Sequence, residues 1–233
     1  MREFIQTSAF LGIIITLGTY ELGIIIRKKW NFALINPMLL SIIFSIILLL
    51  AFHIDYSEYL ISAKYISFLL TPATVCLAVP LYEKFEYLKK NALAVVLGIS
   101  SGVLTSLTTV FILSQLFQLD SSMFATLLPK SVTVAIAMDV STEFGGYSSL
   151  TAAATCITGV MGNIFADGIC RLFRIIDPVA QGVAIGTSTH AAGTARALEM
   201  GETQGAMSSL SLVVAGILTV ILATPVAALY NLL

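Results

Sequence analysis

A lysine stands directly behind a proline inside an apolar run, Leu127-Leu128-Pro129-Lys130-Ser131-Val132-Thr133. Proline fits the first turn of a helix, where its missing N–H is no loss, and it pushes the preceding residue out of helical geometry. A helix restarted at Pro129 would aim free backbone N–H groups, the positive end of a helix dipole, at the break. Lys130 would add a full positive charge, and Ser131 and Thr133 hydroxyl donors, a set suited to holding a small anion. An ionisable side chain within a membrane is costly unless it faces water or a partner, which makes Lys130 a candidate functional residue. The plainer alternatives are that it snorkels to a surface or pairs with Asp139 or Glu143.

A second polar concentration runs from Asp177 to Gly205. Within it, Gly186-Thr187-Ser188-Thr189-His190-Ala191-Ala192-Gly193-Thr194-Ala195-Arg196 contains no large apolar side chain and is unsuited to face lipid. Either these small residues let helices approach closely, or the backbone opens to line a polar cavity, with Thr187, Ser188, His190, Thr194 and Arg196 facing a solute. Ser188, His190 and Asp177 contain the letters of a hydrolase triad, but no nucleophile elbow surrounds them, and Ser and His two apart on one helix do not face each other. Two histidines 137 positions apart offer no metal cluster, there is no phosphate-binding glycine loop, and Cys76, Cys156 and Cys170 have no paired spacing. No enzyme activity, metal or cofactor is expected. A net charge of −1 without a basic patch argues against nucleic acid.

The elements that position these residues are membrane helices. Hydrophobic residues make up 58% of the 233, charged residues 11%, and the mean hydropathy is +0.96. A crossing needs roughly 20 apolar residues, and the charge-free stretches predict about six to eight crossings with an irregular middle. The first segment is as long as a span, ends in Arg27-Lys28-Lys29 and lacks a small-x-small cleavage site, so it reads as a membrane helix rather than a signal. Basic loops at Arg27–Lys29 and Lys84–Lys90 assign those ends to the cytoplasm and the N-terminus to the outside of the cell membrane. Arg171 and Arg174 obey the same rule only if the segment around Pro129 re-enters on the side it came from.

A gapless shift of 57 residues lays the stretch from Pro72 on that from Pro129, matching Leu70 with Leu127, Pro72 with Pro129, Glu86 with Glu143 and Gly102 with Gly159, with Thr74 opposite Ser131. Apolar stretches match easily by chance, but proline, glutamate and glycine matches are harder to dismiss. The expectation is one membrane domain over 1–233, all-α, with inverted repeats at about 60–117 and 118–174. Each would carry a broken helix, with Pro72, Thr74, Pro129, Lys130, Ser131 and Thr133 near the midplane, a recurring plan of secondary transporters.

Three blocks, "LLTPATVCLAVPLYEKFEYLKKN", "LLPKSVTVAIAMDVSTEFGGYSSLTA" and "DPVAQGVAIGTSTHAAGTARALEMGETQGAMSSL", resemble the signatures of the LrgB/CidB family, also called antiholin-like LrgB or YohK-like proteins. The likeness covers nearly the whole chain, with Cys76 and Val134-Ala135 departing from the usual pattern. It implies two competing functions. Bacterial members are named as modulators of murein hydrolase activity and lysis, beside a small LrgA/CidA holin-like membrane protein. Other members resemble carriers of short carboxylates of the pyruvate, glycolate and lactate class. The anion-suited break around Lys130 fits a carrier directly, which ranks the carrier first and the regulator second. The expected partners are a small carboxylate, the LrgA/CidA-type protein, membrane lipid and, in a homo-oligomer, further copies of the chain.

Overall fold

The computed structural model describes residues 10–29, 37–69 and 85–232 and the isolated positions 72, 75, 76, 79 and 82. Among the described residues there are nine α-helices and no strand. Two compact units divide the chain, Met1–Cys76 and Leu77–Leu233.

In the first unit, α1 (Leu11–Lys29) packs against α2 (Pro37–Phe52) and α3 (Tyr56–Phe68). With no aqueous driving force between lipid-exposed helices, small and hydroxyl side chains hold such contacts. The unpaired first-turn N–H of Gly12 donates to Ser62 Oγ at 2.6 Å, and Thr19 Oγ1 lies 2.9 Å from Ser45 Oγ. The large apolar side chains Leu17, Ile47 and Leu50 stay exposed, as on helices that meet lipid.

The second unit holds α4 (Phe85–Leu116), α5 (Ser121–Leu127), α6 (Val134–Glu143), α7 (Ser148–Leu172), α8 (Pro178–Met200) and α9 (Glu202–Asn231). Within α4, α7 and α9, three stretches are long and apolar enough to cross a bilayer, Lys89–Leu116, Ser148–Leu172 and Glu202–Tyr230. The chain is an all-α polytopic membrane protein. α4 and α9 run the same way, since both end at a cluster in which the Phe124 and Tyr230 rings stack at 3.9 Å and Phe111 meets each edge-on. α7 runs oppositely. Its first turn meets that end through Thr151 Oγ1, which donates to the Thr126 carbonyl at 3.0 Å, and its last turns share a cavity with Gln181 and Gln204 at the other.

α5 and α6 are too short to cross. At about 1.5 Å per residue they reach about 10 and 15 Å, against a hydrocarbon core of about 30 Å. They form a hairpin instead. It enters beside Leu119, whose carbonyl accepts from Tyr230 Oη at 2.5 Å, turns where Ser131 Oγ meets Ser106 Oγ at 2.9 Å, and returns to Ser141, which Thr151 Oγ1 reaches at 2.7 Å. Both ends of the hairpin lie at the same end of the bundle, as the sequence expectation of a re-entrant segment requires.

α8 is also a hairpin, although its helical hydrogen bonding continues on both sides of the turn. His190 sits at φ 46°, ψ −142°, outside helical geometry, and splits the element into 178–189 and 191–200. A straight helix would hold Gly182 and Leu198 about 24 Å apart. In the fold they approach neighbouring residues of α9, Gly182 at Gln204 and Leu198 at Gly205. Likewise Gly186 abuts the backbone of Ser208, and Thr194 Oγ1 lies 2.9 Å from Ser208 Oγ. The first half runs beside α4, with Gly98 facing Val183 and Gly102 facing Thr187; the second half runs beside α7. This hairpin enters from the end opposite to the first.

Candidate functional site

The two hairpin tips meet half-way along α4. A cavity of about 470 Å³ there is lined by Gly98, Ser101, Gly102, Thr105, Ser106 and Thr109 of α4, by Lys130 and Ser131 of the first tip, and by Val183, Ala184, Thr187 and Ser188 approaching the second. Its volume is ordinary for a small-molecule site. The middle of the Lys89–Leu116 span falls at Gly102, so the cavity sits at the depth where broken-helix transporters hold their substrates.

Among the described residues one cation and no acid line this cavity. The half-buried Lys130 Nζ donates to Ser131 Oγ at 3.2 Å, and no ion pair links it to Asp139 or Glu143, which are both exposed. The Thr187 hydroxyl is buried, its residue 5% exposed, and has no hydrogen-bond partner among the described residues. A buried hydroxyl left unpaired costs about 1–3 kcal/mol, and among the described residues Thr155 Oγ1 on α7, which does not line this cavity, shares that state. A cavity lined by an ammonium and a row of hydroxyls can bind a small anion. A second cavity of about 310 Å³ shares Gly98, Val183 and Ala184 with it and extends the α4/α8 groove to Asn91 and Asp177.

The structure differs from the expectation about Pro129. That residue is buried in the turn, and α6 begins only at Val134, with Thr133 in the N-cap position and making no side-chain cap bond. Leu128 keeps helical dihedrals and bonds the Phe124 carbonyl, contrary to the expected disruption before a proline, and the residues from Pro129 to Thr133 form the tip itself, which leaves Lys130 and Ser131 free to face the cavity. The positive end of α6 opens onto that tip three residues beyond Ser131.

Lys130, Ser131, Thr187 and Ser188 are thus brought together. The other candidate residues are placed elsewhere. His190 points away from the cavity: its Nε2 lies 2.9 Å from the Thr155 carbonyl, so that nitrogen carries the proton, and its ring packs where a side chain at Gly159 would stand. Thr194 bonds Ser208 and the His190 carbonyl. Arg196 is held in ion pairs with Asp167 of α7 and Glu199, tying the second half of α8 to α7. Pro72 is exposed, and Thr74 lies outside the described residues, as does most of the stretch expected to mirror the Pro129 segment. Sequence reasoning missed the α4 wall. Its signal was present: Ser101, Thr105 and Thr109 are four residues apart and Gly98 and Gly102 lie on the same stripe, a polar and small face on an apolar helix.

Residues 16–229 match the model of the LrgB-like family. The chain belongs to that family. Among curated relatives of this LrgB-like chain, the antiholin-like protein LrgB of Bacillus subtilis (strain 168) is 34% identical over 215 residues, covering 92% of this chain and 93% of the relative. No solved structure matches. The family likeness therefore spans both units, and the two hairpins of this LrgB-like fold lie wholly within the matched region.

Proposed function

We propose that the chain is a carrier of small monocarboxylates, of the pyruvate, glycolate and lactate class, in the cell membrane. The observation that supports this reading is the cavity in which two hairpins from opposite ends of the bundle bring Lys130, Ser131, Thr187 and Ser188 against the hydroxyl wall of α4, with no acid among the lining residues. A carboxylate there would accept hydrogen bonds from the ammonium and from Ser131, each such charge-assisted bond contributing about 1.5–3 kcal/mol. The spare Thr187 hydroxyl would take a further oxygen of the solute. The basic residues at the start of α4 and the end of α7 would put those ends in the cytoplasm, with the N-terminus outside. A small LrgA/CidA-type membrane protein is the expected partner. The inverted repeats at about 60–117 and 118–174 belong to the same reading.

A second reading is that the chain regulates murein hydrolases and autolysis without transport of its own. The name of the Bacillus subtilis relative, antiholin-like, favours it, and that name says nothing of transport. Uptake of labelled pyruvate, glycolate and lactate into proteoliposomes, with and without the small partner, separates the two. Saturable uptake supports the carrier; its absence in both preparations, with folded protein in the membrane, supports the regulator.

A further inference from the structure

A third cavity, of about 590 Å³, lies at the end of the second unit where α7 stops and both legs of α8 begin and finish. Arg171, Arg174, Ile175 and Ile176 line it from the α7 terminus, with Gln181, Met200 and Gln204 opposite. We propose that this cavity seats the phosphodiester of an anionic membrane lipid.

The charge is directed there and unused. Arg171 and Arg174 are both exposed, and neither is ion-paired among the described residues. The acid that lines the cavity, Asp167, is already engaged by Arg196. The amide groups are tied into the walls: Gln204 Nε2 donates to Gln181 Oε1 at 3.1 Å and Gln181 Nε2 to the Ile175 carbonyl at 2.8 Å, so the floor is fixed while the guanidinium groups are not. α7 closes with Ile175 N–H bonded to the Cys170 carbonyl at 2.8 Å and Arg174 at φ 54°, a position usually given to glycine. An arginine held in that left-handed turn is displayed where a glycine would present nothing.

The surroundings distinguish a lipid from a free ion. Leu172, Phe173 and Ile176 are 75%, 69% and 86% exposed around the arginines, at the terminus of a membrane-length helix. That depth is the boundary between acyl chains and headgroups, where apolar side chains meet hydrocarbon and guanidinium forks meet phosphate oxygens in bidentate pairs. A basic pocket between membrane helices is a recurrent seat for anionic headgroups.

Native mass spectrometry of the full chain in detergent, titrated with dioleoyl phosphatidylglycerol, dioleoyl phosphatidylcholine or inorganic phosphate, tests this. The wild-type chain should retain phosphatidylglycerol selectively, and Arg171→Gln with Arg174→Gln should weaken it roughly 10- to 30-fold. Arg171→Lys with Arg174→Lys, which keeps the charge and guards against misfolding, should recover part of the binding. Lys28→Gln with Lys29→Gln, in the basic run of α1, should leave it unchanged. Equal retention of phosphatidylcholine, equal binding by the double glutamine variant, an equal loss in the α1 variant, or phosphate competing as well as the lipid would each overturn the proposal.

Discussion

The two hairpins that meet at the cavity are built on different principles. The first breaks where its sequence says it must, around a proline, and carries the charge of the site at its tip. The second contains neither proline nor glycine at its turn; His190 adopts a positive φ, uncommon for a residue other than glycine, and the fold is held by what surrounds it. Gly182 and Gly186 admit the backbone of α9, Gly159 and Gly162 on α7 admit His190 and Thr189, and Arg196 ties the returning leg to Asp167. A backbone break can therefore be written locally, in one residue, or distributed over a set of close contacts with neighbouring helices. The distributed kind is the more fragile to a single bulky substitution.

The largest expected effect follows from that fragility. Gly186→Leu would drive a side chain into the backbone of Ser208, which cannot move aside as a flexible side chain could, and overpacking of this kind costs about 1–3 kcal/mol or more. The second hairpin should lose its seat on α9, and with it folded yield and activity. Gly168→Leu, at a glycine facing open space, is the matching control and should fold normally. A Gly186→Leu protein with normal thermal stability would mean that α8 does not fold back as described. The comparison is sharpened by topology. Cysteines at Asp120 and Tyr147 should react with an impermeant reagent from one face of the membrane, and cysteines at Asp177 and Gly201 from the other. Labelling of either pair from both faces would make that hairpin a crossing.

Smaller effects separate the tips chemically. Thr187→Val removes a buried hydroxyl that has no protein partner, so thermal stability should hold or rise by up to about 1 kcal/mol while solute binding weakens about 3- to 10-fold. A clear loss of stability would show that the hydroxyl is satisfied within the fold. Tyr230→Phe deletes only the bond to the Leu119 carbonyl and keeps the ring stack, so it should cost about 1 kcal/mol in a denaturation measurement and leave binding unchanged.

Much of the first hairpin was legible in the sequence because its signals are local: Pro129 removes a helical hydrogen bond, two short apolar pieces cannot cross a bilayer, and a lysine between them needs a polar neighbour. Thr187 and Ser188 were legible as part of a stretch unfit for lipid. The second hairpin was not. Its turn carries no breaker, and nothing in Thr189-His190-Ala191 distinguishes a reversal from a helix lined with small residues. Contacts with Gln204 and Ser208 of α9 and with Thr155, Gly159, Gly162 and Asp167 of α7, which no local signal announces, decide it. The same limit explains His190 and Arg196: their types suggest solute contact, yet Thr155, Asp167 and Glu199 already satisfy them. The α4 wall was visible as a stripe of hydroxyls but had no meaning until a lysine was placed opposite.

Lys130 is the charge on which the proposed anion site depends. On purified protein, equilibrium binding of labelled pyruvate should weaken roughly 10- to 100-fold in Lys130→Ala, with folded yield close to wild type because among the described residues the ammonium hydrogen-bonds Ser131 and pairs with no acid. Lys130→Arg should restore binding only in part, since a planar fork does not occupy the space of a compact ammonium. Pyruvate bound with undiminished affinity by a well-folded Lys130→Ala protein would contradict the anion site.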